Sequence, residues 1–230
     1  RHRARRASTG RPDVTCGYGA GADGILRCRS PLCKCKTSAR SNRRRVIAMD
    51  TILVVNAGSS SVKFQIFSVE GEGRLRRLIR GQMDGIGSRP RLRASSADGA
   101  PMVDRAYPIE AVPDHRAAMS IAGAWLRDEL RINPMAVGHR VVHGGPDHDR
   151  PVLIDHGVVA RLERLVALAP LHQPHNLAPI RSLLANFPAL PQVACFDTAF
   201  HRTHSAVADY YAIPYQLHAE GVRRYGFHGL

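Results

Sequence analysis

The sequence lacks the features that mark membrane-spanning and disulfide-stabilised proteins. No apolar run reaches the roughly 18 residues that a membrane-spanning helix needs. Of the 5 cysteines, only Cys195 lies beyond residue 48, so residues 49–230 hold no pair that could form a disulfide framework. These absences predict a reduced, cytoplasmic protein without a membrane anchor.

Two common catalytic motifs are also missing. Neither the Walker pattern G-x-x-x-x-G-K-[ST] nor the zinc-hydrolase pattern His-Glu-x-x-His occurs. His139 and His143 share one face of a predicted strand, but they would stand ~13 Å apart and could not hold one ion. His201 and His204 could share a metal only on a helix. A zinc hydrolase is therefore the weaker alternative.

Positive charge is concentrated at one end of the chain. The net charge is +14, of which the first 48 residues contribute +11 (13 Lys and Arg against 2 Asp), so +3 remains for residues 49–230. Residues 1–48 show no regular spacing of apolar residues, which predicts a disordered basic extension. Met49 directly precedes a strong strand pattern, so we interpret residues 1–48 as upstream sequence that is not native. The folded part, residues 49–230, is only mildly basic, and nucleic acid is not an expected partner.

The basic extension leaves two alternatives open. An Arg-rich segment could bind RNA or DNA through its charge. Its cysteines could bind zinc, but the C-x4-C-x-C spacing of Cys28, Cys33 and Cys35, with Cys16 upstream, is not that of a zinc ribbon. We therefore expect no zinc in this segment.

Hydrophobic periodicity in residues 49–230 predicts alternating strands and helices. Short apolar or alternating runs predict strands over residues 51–56, 61–69, 136–142 and 192–196, with a weaker signal over 75–83. Helical spacing of apolar residues predicts helices over 114–131, 157–168 and 175–186, and residues 171–174 are expected to form a loop. This alternation predicts an α/β fold.

Polar side chains follow the predicted strands at the points where the strands end. Asn56 ends the first strand, Arg140 and His143 lie at the end of the third, and Asp197 follows the last. In α/β sheets, ligands bind beyond the carboxyl ends of strands, because the loops there converge. These residues therefore predict one shared site.

The functional alternatives at this site are open from the residues alone. The Gly-Ser-Ser-Ser turn at residues 58–61 could cradle phosphate or be an ordinary hairpin turn. Arg140 could clamp an anion or form a buried salt bridge. Asp197 could act as a metal-linked acid or base, or only as a turn carboxylate or helix cap.

Five segments, in order from Met49 to the last residue, resemble the acetate kinase family. They are residues 56–64 (Asn-Ala-Gly-Ser-Ser-Ser-Val-Lys-Phe), 138–145 (Gly-His-Arg-Val-Val-His-Gly-Gly), 169–176 (Ala-Pro-Leu-His-Gln-Pro-His-Asn), 196–201 (Phe-Asp-Thr-Ala-Phe-His) and 224–229 (Arg-Tyr-Gly-Phe-His-Gly). The resemblance implies a ribonuclease-H-like α/β domain of the acetate and sugar kinase/Hsc70/actin superfamily. It also implies ATP and acetate as substrates, Mg²⁺ or Mn²⁺ as cofactor, acetyl phosphate as product, and a cytoplasmic homodimer.

The resemblance assigns metal- and phosphate-binding roles to the first segment. Asn56 is expected to hold Mg²⁺. Gly58, Ser59 and Ser61 are expected to form the phosphate loop, and Lys63 to lie beside the ATP phosphates.

The later segments are expected to carry catalysis and substrate binding. Arg140 would hold the acetate carboxylate or the transferring phosphoryl group, and Asp197 would be the acid/base residue. His172 and His228 would donate to the phosphoryl oxygens. The methyl group of acetate would lie against Val142, Leu171 and Phe227.

The resemblance covers about half of a family chain, in terms of domain count. It therefore implies an N-terminal domain that stops before the second domain, which would supply the adenosine pocket. The alternatives are a propionate or butyrate kinase of the same family, and an inactive fragment with a nucleic-acid-binding tail.

Overall fold

A computed structural model describes residues 49–230. The predicted basic extension and its cysteines lie outside the described residues. The described strands are β1 (Thr51–Ala57), β2 (Ser61–Val69), β3 (Leu75–Asp84), β4 (Arg91–Ser96), β5 (Pro101–Ala106), β6 (Ala136–Val141), β7 (Val152–Leu153) and β8 (Gln192–Phe196). They form one mixed sheet in the order β5-β4-β3-β2-β1-β6-β8-β7.

The sheet combines an antiparallel meander with a parallel part. Strands β1 to β5 pair antiparallel in chain order. Strand β6 then pairs parallel with β1, and β8 pairs parallel with β6. The carboxyl ends of β1, β6 and β8 therefore meet at one edge, while β7 closes the far side antiparallel to β8.

Four α-helices are described, and their ends follow local sequence signals. They are α1 (His115–Ala124), α2 (His156–Arg164), α3 (Gln173–Asn186) and α4 (Tyr215–Ala219). The carboxylates of Asp114 and Asp155 accept backbone N–H groups at the starts of α1 and α2. A π-helical segment, Trp125–Glu129, extends α1, and a 3-10 segment, Leu165–Leu168, extends α2. No helix within residues 49–230 is long and apolar enough to cross a membrane.

Strands β1 and β6 bury every second side chain, which places their buried residues on one face of the sheet. Helices α1 and α3 pack against that face. One core cluster forms under α1 around Val55, Phe64 and Trp125. A second forms between α2, α3 and β8, and includes Leu162 and Phe196. Burying one such side chain stabilises the fold by about 1.5–3 kcal/mol. This packing fixes the strand ends that carry the predicted polar residues.

The structure corrects three details of the sequence prediction. Strands β4 and β5 were not predicted, because β4 places only two apolar side chains, Leu92 and Ala94, on the buried face and β5 buries none. Helix α3 begins at Gln173 within the predicted loop, since Pro174 is tolerated in a first helical turn. The predicted helix over 157–168 becomes 3-10 after Arg164.

Candidate active site

A cleft of about 680 Å³ opens at the shared carboxyl edge of β1, β6 and β8. Its walls include all but two of the residues that the sequence placed at the site, Lys63 and His143 being the exceptions. The others are Asn56, Gly58, Ser59, Ser61, Arg140, Val142, Leu171, His172, Asp197, Phe227 and His228. Residues from distant parts of the chain therefore share one cavity.

Lys63 and the buried His143 are the predicted site residues that do not line the cleft. Lys63 lies exposed on β2, directly opposite Asn56 in the antiparallel register. Opposite residues in such a pair project from the same face of the sheet. Lys63 therefore shares a face with Asn56 but lies outside the cavity wall, and its contact with ATP phosphates stays a prediction.

Arg140 and Asp197 form a two-point ion pair inside the cleft. The Nε and Nη2 atoms of Arg140 donate to the two carboxylate oxygens of Asp197 at 2.9 and 2.5 Å. The register explains the pairing, because Arg140 lies beside Cys195 and Asp197 follows on the same face two positions later. The salt-bridge alternative for Arg140 is therefore present, and the pair still borders the cavity.

The two side chains of the ion pair differ in their exposure to solvent. The Asp197 side chain is 2% exposed, whereas that of Arg140 is 33% exposed. Hydrogen bonding to Asp197 raises the pKa of Arg140 above its ordinary value. A third, longer bond of 3.4 Å runs from Arg140 Nη1 to Asn56 Oδ1. A guanidinium has more N–H groups than these bonds use, so Arg140 can still donate to an anion in the cleft.

The Gly-Ser turn at residues 58–61 is held by hydrogen bonds to its backbone. The Gly58 N–H donates to the Ser61 carbonyl at 2.8 Å. The Ala57 carbonyl accepts from Asn176 Nδ2 at 2.7 Å, and the Gly58 carbonyl accepts from His115 Nε2 at 2.5 Å. The turn thus has the fixed backbone that a phosphate-binding loop requires.

The first turn of α3 holds the chain that follows β6. Asn176 Oδ1 accepts the Val142 N–H at 2.9 Å, so this one amide joins the ends of β1 and β6. Gln173 is fully buried, accepts the His143 N–H and donates to the His143 carbonyl. His172 directly precedes this helix and lines the cleft.

Sequence reasoning assigned no role to these supporting residues, although signals were present. Asn176 is the last residue of the segment 169–176, one of the five segments whose family resemblance indicated the site. His115 lies three and seven positions before the buried Ala118 and Ala122, so it falls on the apolar stripe of α1. A histidine on a buried helix face is the signal that could have identified it.

The segment that carries His228 lies against the loop after β8. The Gly229 N–H donates to the Asp197 carbonyl at 2.8 Å, and His201 Nε2 donates to the Phe227 carbonyl at 2.9 Å. His228 has a φ of 61°, which is uncommon for a residue other than glycine and is often found at functional sites. These contacts bring His228 to the same cavity as Asp197.

The two histidine pairs considered as metal ligands are engaged otherwise. His139 Nε2 bonds the Gln192 amide oxygen at 2.8 Å, and burial lowers the pKa of His139 to about 4. His143 Nδ1 accepts the Gly145 N–H. His204 bonds Asp209. In the part of the chain that the structure describes, no group of three or more His, Cys, Asp or Glu side chains could hold a metal ion.

The candidate Mg²⁺ ligands in the cleft are side-chain oxygens that accept hydrogen bonds from Arg140 in this structure. The Asn56 amide oxygen and the Asp197 carboxylate are oxygen donors of the type that Mg²⁺ prefers. They are too few to complete its octahedral shell. Mg²⁺ commonly takes its remaining oxygens from phosphates and water, which is consistent with this small donor set.

The fold and the cleft define an α/β protein with a candidate site at the carboxyl edge of its mixed sheet, and an acetate kinase and a propionate kinase of known structure have a similar fold. The structure resembles the crystal structure of Porphyromonas gingivalis acetate kinase, with a TM-score of 0.68 and 34% identity over 78% of this chain and 45% of that chain. A propionate kinase from Francisella tularensis gives a TM-score of 0.69 and 34% identity over 79% and 46% of the two chains.

The chain belongs to the acetokinase family, whose family model matches residues 51–230. It is 84% identical over 182 residues to an acetate kinase of Nitrobacter hamburgensis, which covers 79% of this chain and 45% of the relative. An acetate kinase of Rhizobium meliloti is 58% identical over 182 residues, with coverage of 79% and 46%. The chain therefore spans about half the length of the curated relatives it matches. The predicted family and fold class are confirmed.

Proposed function

We propose that residues 49–230 form the N-terminal part of an acetate kinase, which transfers the γ-phosphoryl group of ATP reversibly to acetate and yields ADP and acetyl phosphate. The observation that carries this proposal is the cleft itself. Residues from five separate family-like segments meet in it, with the Arg140–Asp197 pair beside the turn at 58–61. Family membership and 84% identity to an acetate kinase support the same reaction.

In this proposal the chain's own groups neutralise and orient two anions. The remaining N–H groups of Arg140 bind the acetate carboxylate or the transferring phosphoryl. His172 and His228 donate to the phosphoryl oxygens. Phosphoryl transfer depends chiefly on such fixed donors and on the alignment of the attacking and leaving oxygens.

Asp197 and the metal are assigned complementary roles. Arg140 fixes both carboxylate oxygens of Asp197, so Asp197 keeps one orientation as the acid/base residue. Asn56 contributes an oxygen to Mg²⁺ or Mn²⁺ at the phosphates, where Gly58, Ser59, Ser61 and Lys63 also act. The bound metal ion supplies positive charge that neutralises the phosphates.

The proposed acetate pocket consists of Val142, Leu171 and Phe227, all of which line the cleft. The runner-up is a propionate or butyrate kinase, which the similarity to the Francisella tularensis propionate kinase supports. One methylene changes binding by only about 1–3 kcal/mol, so the relative kcat/KM values for acetate, propionate and butyrate must decide which acid is the substrate.

We also propose that the protein is a cytoplasmic homodimer without a nucleic acid partner.

A chimera tests the proposal directly. Residues 49–230 would replace the matching 182 residues of the Nitrobacter hamburgensis acetate kinase, and acetyl phosphate formation from ATP and acetate would be measured. We expect activity close to that of the unaltered relative, a preference for acetate over propionate and butyrate, and no turnover by the 230-residue chain alone. A folded but inactive chimera, beside an active relative, would contradict the proposed reaction.

A further inference from the structure

Two consecutive carbonyl groups at the start of the 58–61 turn are held by buried side chains of different helices. Asn176 on α3 binds the Ala57 carbonyl, and His115 on α1 binds the Gly58 carbonyl. Both side chains are almost inaccessible to solvent. His115 lines no part of the cleft and was not among the predicted site residues, so its contact with the turn needs its own explanation.

The His115 bond fixes the direction of the next peptide group. The described residues contain no cis peptide bond. In a trans peptide, the C=O of one residue and the N–H of the following residue point in opposite directions. Because the Gly58 carbonyl points at α1, the Ser59 N–H points away from α1, and Ser59 borders the cleft. The Gly58 N–H is already used within the turn, since it donates to the Ser61 carbonyl.

We propose that His115 is a positioning residue that holds the Gly58–Ser59 peptide with its N–H directed at a bound phosphate group. The identity of that phosphate as part of ATP rests on the proposed function. The positioning itself rests on the hydrogen bond and on the geometry of the peptide. His115 must carry its proton on Nε2, because the Gly58 carbonyl can only accept.

The surroundings of His115 favour one fixed orientation. Asp114 caps α1 by accepting the Ala117 N–H at 2.8 Å, which fixes the first helical turn. The His175 ring lies against the His115 ring, with centroids 4.7 Å apart and planes inclined by 33°. Burial, followed by repulsion from His115 and His172, lowers the pKa of His175, which disfavours a positive charge beside His115.

The test is an amide NMR titration of the 230-residue chain with sodium pyrophosphate, with sodium chloride at matched ionic strength as reference. We expect the Ser59 N–H resonance to move with pyrophosphate in the wild type. In His115→Leu this shift should vanish and the pyrophosphate Kd should rise by about tenfold or more, the effect of losing one charge-assisted hydrogen bond. His115→Gln should restore much of both, because its amide can donate to Gly58.

His156→Leu is the matched control. His156 is also the first residue of a helix that follows an aspartate cap, but it is exposed on α2. This substitution should leave the Ser59 shift and the Kd unchanged. An identical Ser59 response in the wild type and His115→Leu would overturn the proposal, as would the absence of any Ser59 response in the wild type.

The chimera separates this inference from the proposed function. There, His115→Leu should raise KM for ATP more than KM for acetate, and His115→Gln should return KM for ATP toward the wild-type value. Equal losses for both substrates would contradict positioning at the phosphate. An inactive chimera whose Ser59 N–H still responds to pyrophosphate in a His115-dependent manner would refute the acetate kinase reaction and leave the positioning role standing.

Discussion

Arg140 on β6 donates to both carboxylate oxygens of Asp197, which directly follows the parallel strand β8. The two residues belong to separate family-like segments, and the pairing makes them one unit. The carboxylate is almost fully buried and the guanidinium is partly exposed. We therefore expect loss of either partner to affect both the stability of the fold and the proposed catalysis.

Substitution of the ion pair should separate these two effects. We expect Arg140→Ala to lower the free energy of unfolding by about 2–3 kcal/mol, because it leaves a buried carboxylate without its cation. The double variant Arg140→Ala/Asp197→Asn should regain part of that loss. In the chimera, Arg140→Ala, Asp197→Asn and the double variant should each lower kcat by about a hundredfold or more. Urea unfolding and kcat on the same samples measure both quantities.

The surface pair Arg150–Asp149 provides the control for this experiment. Its side chains are 77% and 45% exposed, so Arg150→Ala should leave the free energy of unfolding nearly unchanged. If kcat per folded molecule stays near wild type in the Arg140 and Asp197 variants, the pair is structural only.

His139 should make the fold sensitive to mild acid. Its pKa is about 4 in the folded protein and 6.5 as a free side chain, so below pH 6.5 the unfolded state binds more protons. Stability should therefore fall as the pH drops from 6.5 to 4, by roughly 3 kcal/mol from this residue. His139→Gln should flatten this dependence in urea unfolding, whereas His156→Gln, at an exposed position, should not. Equal slopes in the wild type and His139→Gln would refute the assignment.

Gly226 should be intolerant of a side chain. An added Cβ would clash with the imidazole ring of His201, and His201 holds the Phe227 carbonyl next to His228. In the chimera, Gly226→Ala should displace this segment and lower kcat by about a hundredfold, the cost of a displacement near 1 Å. Gly123→Ala is the control, because nothing lies within 4 Å of the added Cβ. It should stabilise α1 by about 0.5–1 kcal/mol. Unchanged kcat in Gly226→Ala would show that the segment does not depend on this contact.

The basic segment should be dispensable for folding. The sequence prediction of a non-native extension over residues 1–48 rests on composition, charge and the position of Met49 before the first strand pattern. A chain that begins at Met49 should keep the circular dichroism spectrum and thermal midpoint of the 230-residue chain. Its RNA affinity at several salt concentrations, compared with that of the full chain, tests whether the +11 charge binds nucleic acid. Unfolding on removal of residues 1–48 would show that they belong to the folded domain.

The sequence predicted most of what depends on local patterns. The strands around Val55 and Phe196 and the polar residues at their ends were recognisable, because short apolar runs and following loops are local signals. The Arg140–Asp197 pair was not predictable as a pair, since it depends on the register between β6 and β8. The strands β4 and β5 escaped prediction because an edge hairpin needs few apolar side chains.

The roles of His115 and Asn176 were hidden for a related reason. Each acts on a backbone carbonyl, and a backbone acceptor has no signature in the sequence. Only the packing of α1 and α3 against the sheet brings these side chains to Ala57 and Gly58. The family-like segments thus indicated where the site lies, whereas the contacts that shape it required the tertiary structure.

The distance along the chain between the turn and its supports has a consequence for biosynthesis. His115 follows Gly58 by 57 residues, and Asn176 follows Ala57 by 119. The β1–β2 hairpin can form as soon as it leaves the ribosome, because its contacts are local. Its tip must wait until α1 and then α3 have been translated and have folded back, since each long loop must close before its hydrogen bond can form. The first family-like segment to be synthesised, residues 56–64, is therefore among the last to reach its final conformation.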